Sequence, residues 1–246
     1  MRPLSTLDRR TLLKALTFAP VAAAVPGAVL AEVQAAGLIS TDVCMLSTEV
    51  TEGPFYVDPK LVRSDITEGR PGLPMALRLQ VVTADCQPVT GARVDVWHCD
   101  AAGSYSGVQN LGGGADTVGQ TFLRGTQATD STGVATFQTI FPGWYSGRTT
   151  HVHYMVYLDE KTVLTSQIIF DEAVNQAIYE DHAAYAREGG RDMLNAADSI
   201  AAEAGDGAYA RVKMTEPDGA MEAALVVGIN PEGGSSGLLD WLWKKA

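Results

Sequence analysis

From residue 75 onward the chain alternates between apolar and polar positions in short segments. Leu77, Leu79 and Val81 share one parity, which places them on one face of a strand, since successive side chains point to opposite faces. Arg93-Val94-Asp95-Val96-Trp97 follows Pro88 and Gly91, and Val134–Ile140 follows the turn signal Asp130-Ser131-Thr132-Gly133. If 75–84 and 92–98 form a hairpin, Cys86 lies at its turn and Cys99 at its far end. A second pair is expected from His151–Leu158 and residues 163–170, joined at Asp159-Glu160-Lys161, with late strands over 208–214 and 221–227. Between them, Asp171, Ala173, Ile178 and Tyr185 begin a helical stretch that continues past Gly189-Gly190 to about Ala204. Strands at this spacing predict a mainly β fold, an antiparallel β-sandwich with a short helical insertion. The sandwich is expected over 75–230, including the helical segment 171–204, after an N-terminal extension over 32–74 and before a C-terminal tail over 231–246.

The N-terminus departs from this pattern. Arg9-Arg10 precede Leu12-Leu13-Lys14 and an Ala-rich run that reaches Ala31, the layout of an export signal of the twin-arginine kind, whose machinery carries folded proteins. Cleavage is expected near residue 31, with a periplasmic or extracellular destination. Pro20 and Pro26 interrupt the run, so a stable membrane span is not expected. Removing residues 1–31 takes away Arg2, Arg9, Arg10, Lys14 and Asp8, leaving 14 basic against 28 acidic residues and a formal charge of −14. Such a surface repels phosphate backbones and anionic lipid, which argues against a nucleic-acid partner. Gly112-Gly113-Gly114 lies in a loop over 107–119, but no Lys-Ser/Thr follows and no helix opens there, so it is not read as a phosphate cradle. Of three cysteines, Cys86 and Cys99 fall too far apart on such a hairpin to pair; Cys44 is free to reach either, or all three are thiols.

The chemistry begins with His151 and His153, two apart on an expected strand and therefore on one face. Such a pair serves copper, zinc and iron sites alike, and also occurs as plain strand surface. Tyr145 lies six residues upstream in the loop that feeds the strand, and Tyr105 closes Asp100-Ala101-Ala102-Gly103-Ser104-Tyr105 after another. His98 shares parity with Val94 and Val96 and reads either as a neighbour of the site or as a satisfied strand histidine.

Trp97-His98-Cys99-Asp100-Ala101-Ala102-Gly103-Ser104-Tyr105-Ser106, then Pro142-Gly143-Trp144-Tyr145, Gly147-Arg148 and His151-Val152-His153 together resemble the intradiol ring-cleavage dioxygenases, over roughly residues 50–170. Thr51-Glu52-Gly53-Pro54-Phe55-Tyr56 resembles the segment that precedes the sandwich in that family. The resemblance is to an exported, compact, protocatechuate 3,4-dioxygenase-like branch. It implies one Fe(III) per chain held by Tyr105, Tyr145, His151 and His153, and cleavage of a small aromatic diol by O2 between its hydroxyl-bearing carbons to a cis,cis-muconate-type diacid. It further implies that Tyr145 acts as a base when substrate binds, that Arg148 stabilises developing negative charge, and that Gln167 lies near the substrate. Otherwise Arg148 reads as a surface salt bridge and Gln167 as a strand hydrogen bond. The ligand set makes chemical sense, because phenolate is a hard anionic donor suited to a ferric ion.

The chain departs from the family in two places. Only Ser146 and Gly147 separate Tyr145 from Arg148, where many members have a longer stretch, and residues 32–50 are too few for the helical dimerisation domain of catechol-type members. The choice of catechol and any homo-oligomer are accordingly left open. Two other readings stand beside the dioxygenase: a copper or zinc enzyme built on the His-x-His pair with the tyrosines structural, and a non-catalytic sandwich that binds an aromatic or saccharide ligand, or a partner protein, through Trp97, Trp144 and nearby tyrosines.

Overall fold

The computed structural model describes residues 45–58, 60–109, 116–215 and 219–232. The export signal, Cys44, Gly112-Gly113-Gly114 and the C-terminal tail from 233 lie outside them. Among the described residues, eight strands form two four-stranded sheets. One orders β4 (Val134–Ile140), β1 (Pro74–Thr83), β8 (Ala220–Ile229) and β7 (Arg211–Thr215); the other orders β3 (Arg124–Ala128), β2 (Arg93–Trp97), β5 (His151–Leu158) and β6 (Lys161–Ile169).

Period-two alternation fills the space between the sheets. Leu77, Leu79 and Val81 of β1 face Val94 and Val96 of β2 and Val152, Tyr154 and Val156 of β5, all in one buried cluster. Because β5 spends its even positions on this core, its odd positions, His151, His153 and Met155, point out of the opposite face. That face is buried as well, with His151 2% and His153 1% exposed. The cover is the segment from Leu46 to Ile66, stitched across the second sheet by Val50 N–H to Thr165 O (3.0 Å), Arg63 N–H to Thr126 O (3.0 Å) and the bridge from Val62 to Thr126.

Three expectations are corrected. First, 75–84 and 92–98 do not form a hairpin: β1 and β2 belong to different sheets. Val89 N–H to Val81 O (2.9 Å), Thr83 N–H to Gln87 O (2.9 Å) and a Val82–Pro88 bridge tie the end of β1 to the turn that follows before the chain crosses over. Two apolar faces of equal parity pack face to face as readily as they pair edge to edge, and the pattern does not distinguish the two. Second, β1 and β8 pair in parallel, from Met75↔Met221 to Thr83↔Ile229, inside an otherwise antiparallel sandwich; the long excursion before β8 supplies the crossover that parallel pairing needs. Third, the helical insertion is two short helices, α1 (Glu172–Asp181) and α2 (Ser199–Ala204), with single 3-10 turns between and after them. The strand β3 went unpredicted, since Arg-Gly-Thr-Gln-Ala carries no apolar alternation. Cys86 is disulfide-bonded while Cys99 is a free buried thiol, so the two are not paired with each other.

Candidate metal centre

Two loops bring phenols over the histidine strand. After β2, Asp100 Oδ1 accepts the amides of Ala102 (3.0 Å) and Ser104 (2.9 Å), forming the turn that aims Tyr105 back over the sheet. The Arg124 guanidinium then holds the next residue, donating to Ser106 O and Oγ. Tyr145 comes from the loop before β5, closed by Arg148 N–H to Tyr145 O (3.3 Å). The loops touch through glycines: a Cβ on Gly143 would lie 2.4 Å from Asp100 O, and one on Gly103, where φ is +85°, would lie 2.2 Å from Trp144 O. Replacing Gly143 with alanine is expected to lower stability by about 3 kcal/mol, the scale of forcing a side chain into filled space. Urea midpoints measure this, and an unchanged midpoint would show that the loops yield freely.

The four predicted donors meet. His151 Nε2 lies 3.0 Å from His153 Nε2, 3.2 Å from the Tyr145 hydroxyl and 3.3 Å from the Tyr105 hydroxyl. His151 Nδ1 is 2.7 Å from Thr149 O and must donate to it, which leaves Nε2 of that ring as a bare lone pair. Three donors from three segments thus point at one acceptor.

Burial governs the charge of all four. It pushes His151 down to about 3, with Arg148 adding to the effect. Burial, then His151 and Arg148, hold His153 well below the ordinary imidazole range. Both rings are therefore neutral and competent as ligands at neutral pH. Burial raises Tyr105 well above a normal phenol and Tyr145 to about 12, the latter opposed by the Arg148 guanidinium. A trivalent cation reverses this for the phenols, since a coordinated oxygen loses its proton. Two neutral imidazoles and two phenols that ionise only against a strong cation fit ferric iron. Among the described residues no group of three or more His, Cys, Asp or Glu side chains is placed to hold a metal. A zinc or copper site on His151 and His153 would thus lack the further soft or carboxylate donor that such sites usually take.

Arg148 is neither a surface salt bridge nor loose. Its Nε donates to Asp198 Oδ2 (2.8 Å) and its Nη2 to Gln167 Oε1 (2.6 Å), while Gln167 Nε2 reaches Thr51 O (3.1 Å). Gln167 thus joins Arg148 to the covering segment rather than bonding within the strand ladder. Asp198 also accepts the Thr149 amide (2.8 Å) and caps α2 through Ile200 and Ala201 N–H. Burial alone would raise its carboxyl, but the Thr149 amide and Arg148 hold it below the usual range. His98 points the other way, with Nδ1 2.8 Å from Cys99 O and Nε2 2.7 Å from Thr139 Oγ1: it is a satisfied core histidine.

Sequence reasoning missed Asp198, Arg124, Phe55 and the role of Trp97. Asp198 was visible only as an acidic residue before an Ala-rich run, the mark of a helix cap; nothing local ties it to Arg148. Phe55 stacks on Tyr105 with ring centroids 4.4 Å apart and meets Tyr145 edge-on at 5.7 Å. Trp97 lies parallel to the His153 ring.

Residues 51–211 match the family model described as "Dioxygenase". Catechol 1,2-dioxygenase 1 of Acinetobacter lwoffii is 29% identical over 160 residues, covering 56% of this chain and 50% of that protein. Catechol 1,2-dioxygenase of Acinetobacter baylyi is 30% identical over 162 residues, with the same coverage of 56% and 50%. The chain therefore spans about half the length of the curated relatives it matches. Among solved structures, an intradiol ring-cleavage dioxygenase from Tetranychus urticae superposes with a TM-score of 0.72 at 33% identity, over 78% of this chain and 98% of that one. The sandwich, the spacing of the two tyrosines and two histidines, and the family match over residues 51–211 agree, and the chain belongs to the intradiol ring-cleavage dioxygenases.

Proposed function

We propose that the protein is a non-haem Fe(III) dioxygenase that cleaves a catechol-type ring between its two hydroxyl-bearing carbons with O2, placing both oxygen atoms in a cis,cis-muconate-type diacid. The observation that carries the reading is the convergence of Tyr105, Tyr145 and His153 on His151 Nε2 within 3.3 Å. Those four side chains would hold one ferric ion. Held there, it would supply the electron-withdrawing character that makes a catechol-type ring reactive toward dioxygen.

The two phenols divide the remaining work. Tyr105 is 4% exposed and packed under Phe55, so it is held in place as a permanent donor. Tyr145 is half-buried and lies on the loop edge beside Arg148. It is the phenol able to move and accept a proton from an arriving catechol, as a general base must. Arg148, held by Asp198 and Gln167, presents a fixed cation beside it, placed to favour charge that builds on the substrate. The substrate class follows the relatives named for catechol. Export in folded form, read from Arg9-Arg10, belongs to the same proposal and agrees with loading a metal before transport; no described helix is long and apolar enough to cross a membrane.

Iron-loaded protein is expected to be wine-red from tyrosinate-to-iron charge transfer. It should consume O2 with catechol, protocatechuate or hydroxyquinol, with two atoms of 18O appearing in the product by mass spectrometry. Iron-replete protein that is colourless and takes up no O2 with any of the three would end the proposal. Tyr145→Phe is expected to keep most of its iron and to lose on the order of 10²- to 10³-fold in kcat, the usual cost of a missing general base. Wild-type turnover by that variant would remove the role assigned to Tyr145.

A further inference from the structure

The two histidines are held by different means. His151 has the usual arrangement, its far nitrogen fixed by a backbone carbonyl. His153 has none: its Nδ1 is buried without a hydrogen-bond partner. What fixes its ring is Trp97, cross-strand from it in the β2–β5 register, with centroids 4.9 Å apart and planes inclined by 7°. Gly53 closes the ring's edge, where a Cβ would stand 3.3 Å from Cε1. Trp97 has an anomaly of its own. It is 1% exposed, Tyr56 meets it edge-on at 4.8 Å, and its indole N–H has no acceptor. An orphaned buried donor works against folding, and phenylalanine would fill most of the space without one. A stability role therefore does not account for indole at this position.

We propose that Trp97 is the positioning residue for His153, and that its indole face holds the imidazole more strongly once a metal is bound than before. Resting on the ferric reading above, the argument is electrostatic. Coordination through Nε2 draws positive charge onto the imidazole, and the negative face of an aromatic ring attracts such charge, indole most of all. The contact thus strengthens on loading. A hydrogen bond to Nδ1 would fix the ring; the stack fixes it and adds a preference for the loaded state.

The test compares Trp97→Phe and Trp97→Leu with wild type, and with Leu79→Ala as a control for lost stability in a fully buried residue of the far sheet. Each protein is loaded with Fe(III), and release to a strong chelator is timed by loss of the charge-transfer band. Apo-protein stability is measured separately by urea unfolding. Release is expected to quicken about 5-fold for Trp97→Phe and about 30-fold for Trp97→Leu, the range of a desolvated cation–π contact. Leu79→Ala should release iron at the wild-type rate despite a lower urea midpoint. Release that tracks urea stability across all four proteins, or Trp97→Leu holding iron like wild type, overturns the assignment. If wild type itself binds no Fe(III), the functional reading falls first and this one with it.

Discussion

His151→Leu is expected to yield a folded chain that carries no stoichiometric Fe(III), shows no visible band, and cleaves catechols at least about 10³-fold more slowly than wild type. The size of the effect follows from where the atom lies. His151 Nε2 is the acceptor on which Tyr105, Tyr145 and His153 all converge, so its removal takes away a ligand and leaves three buried polar tips without a common partner. Leucine fills similar volume, so the substitution opens no large cavity on this face. The core side of β5 is Val152, Tyr154 and Val156, which the substitution leaves untouched. Cooperative urea unfolding alongside metal analysis separates loss of site from loss of fold. A His151→Leu protein that retains one ferric ion with the wild-type spectrum would show that the convergence has nothing to do with metal.

The same strand shows which parts of the site were legible in sequence. Two histidines at i and i+2 must share a face, and alternating Val152, Tyr154 and Val156 identify the other face as core. The motif around Tyr105 and Tyr145 pointed to the remaining donors. What local pattern could not show was pairing. β1 and β2 have matching apolar parity, and only the three-dimensional packing puts them in opposite sheets. β3 escaped notice because it is a strand by virtue of its neighbours, with Arg124 buried for its hydrogen bonds to Ser106 rather than for apolar character. Asp198 lies 50 residues from the guanidinium it holds. Residues that hold other residues through long-range contacts leave little trace in local sequence, whereas residues that share one strand or one loop do.

Those buried imidazoles also make the metal-free protein sensitive to mild acid. His98 is pushed down to about 4 by burial, His151 to about 3, and His153 well below its ordinary value. In the unfolded chain each titrates near 6.5. Between the two values the unfolded state binds protons that the folded state refuses, so stability falls as pH falls below about 6.5. Three such groups together remove about 4 kcal/mol between pH 7 and pH 5.5, a large share of what a domain usually has. The depressed carboxylates do not contribute in that window, because the stability they confer is lost only as pH falls through the carboxylate range, near 4 and below. Urea midpoints of the apo-protein at pH 7.0, 6.25 and 5.5 should therefore drop steeply. His98→Gln should take about a third of the slope with it while sparing the metal centre, since that ring faces Thr139 and not the site. With Fe(III) bound, both phenols are ionised in the folded state and protonated in the unfolded one, so the dependence should steepen by two protons and extend through neutral pH. A flat apo profile from pH 7.0 to 5.5 would mean that the histidines accept protons in place, and the neutral, preformed donor set would have to be abandoned.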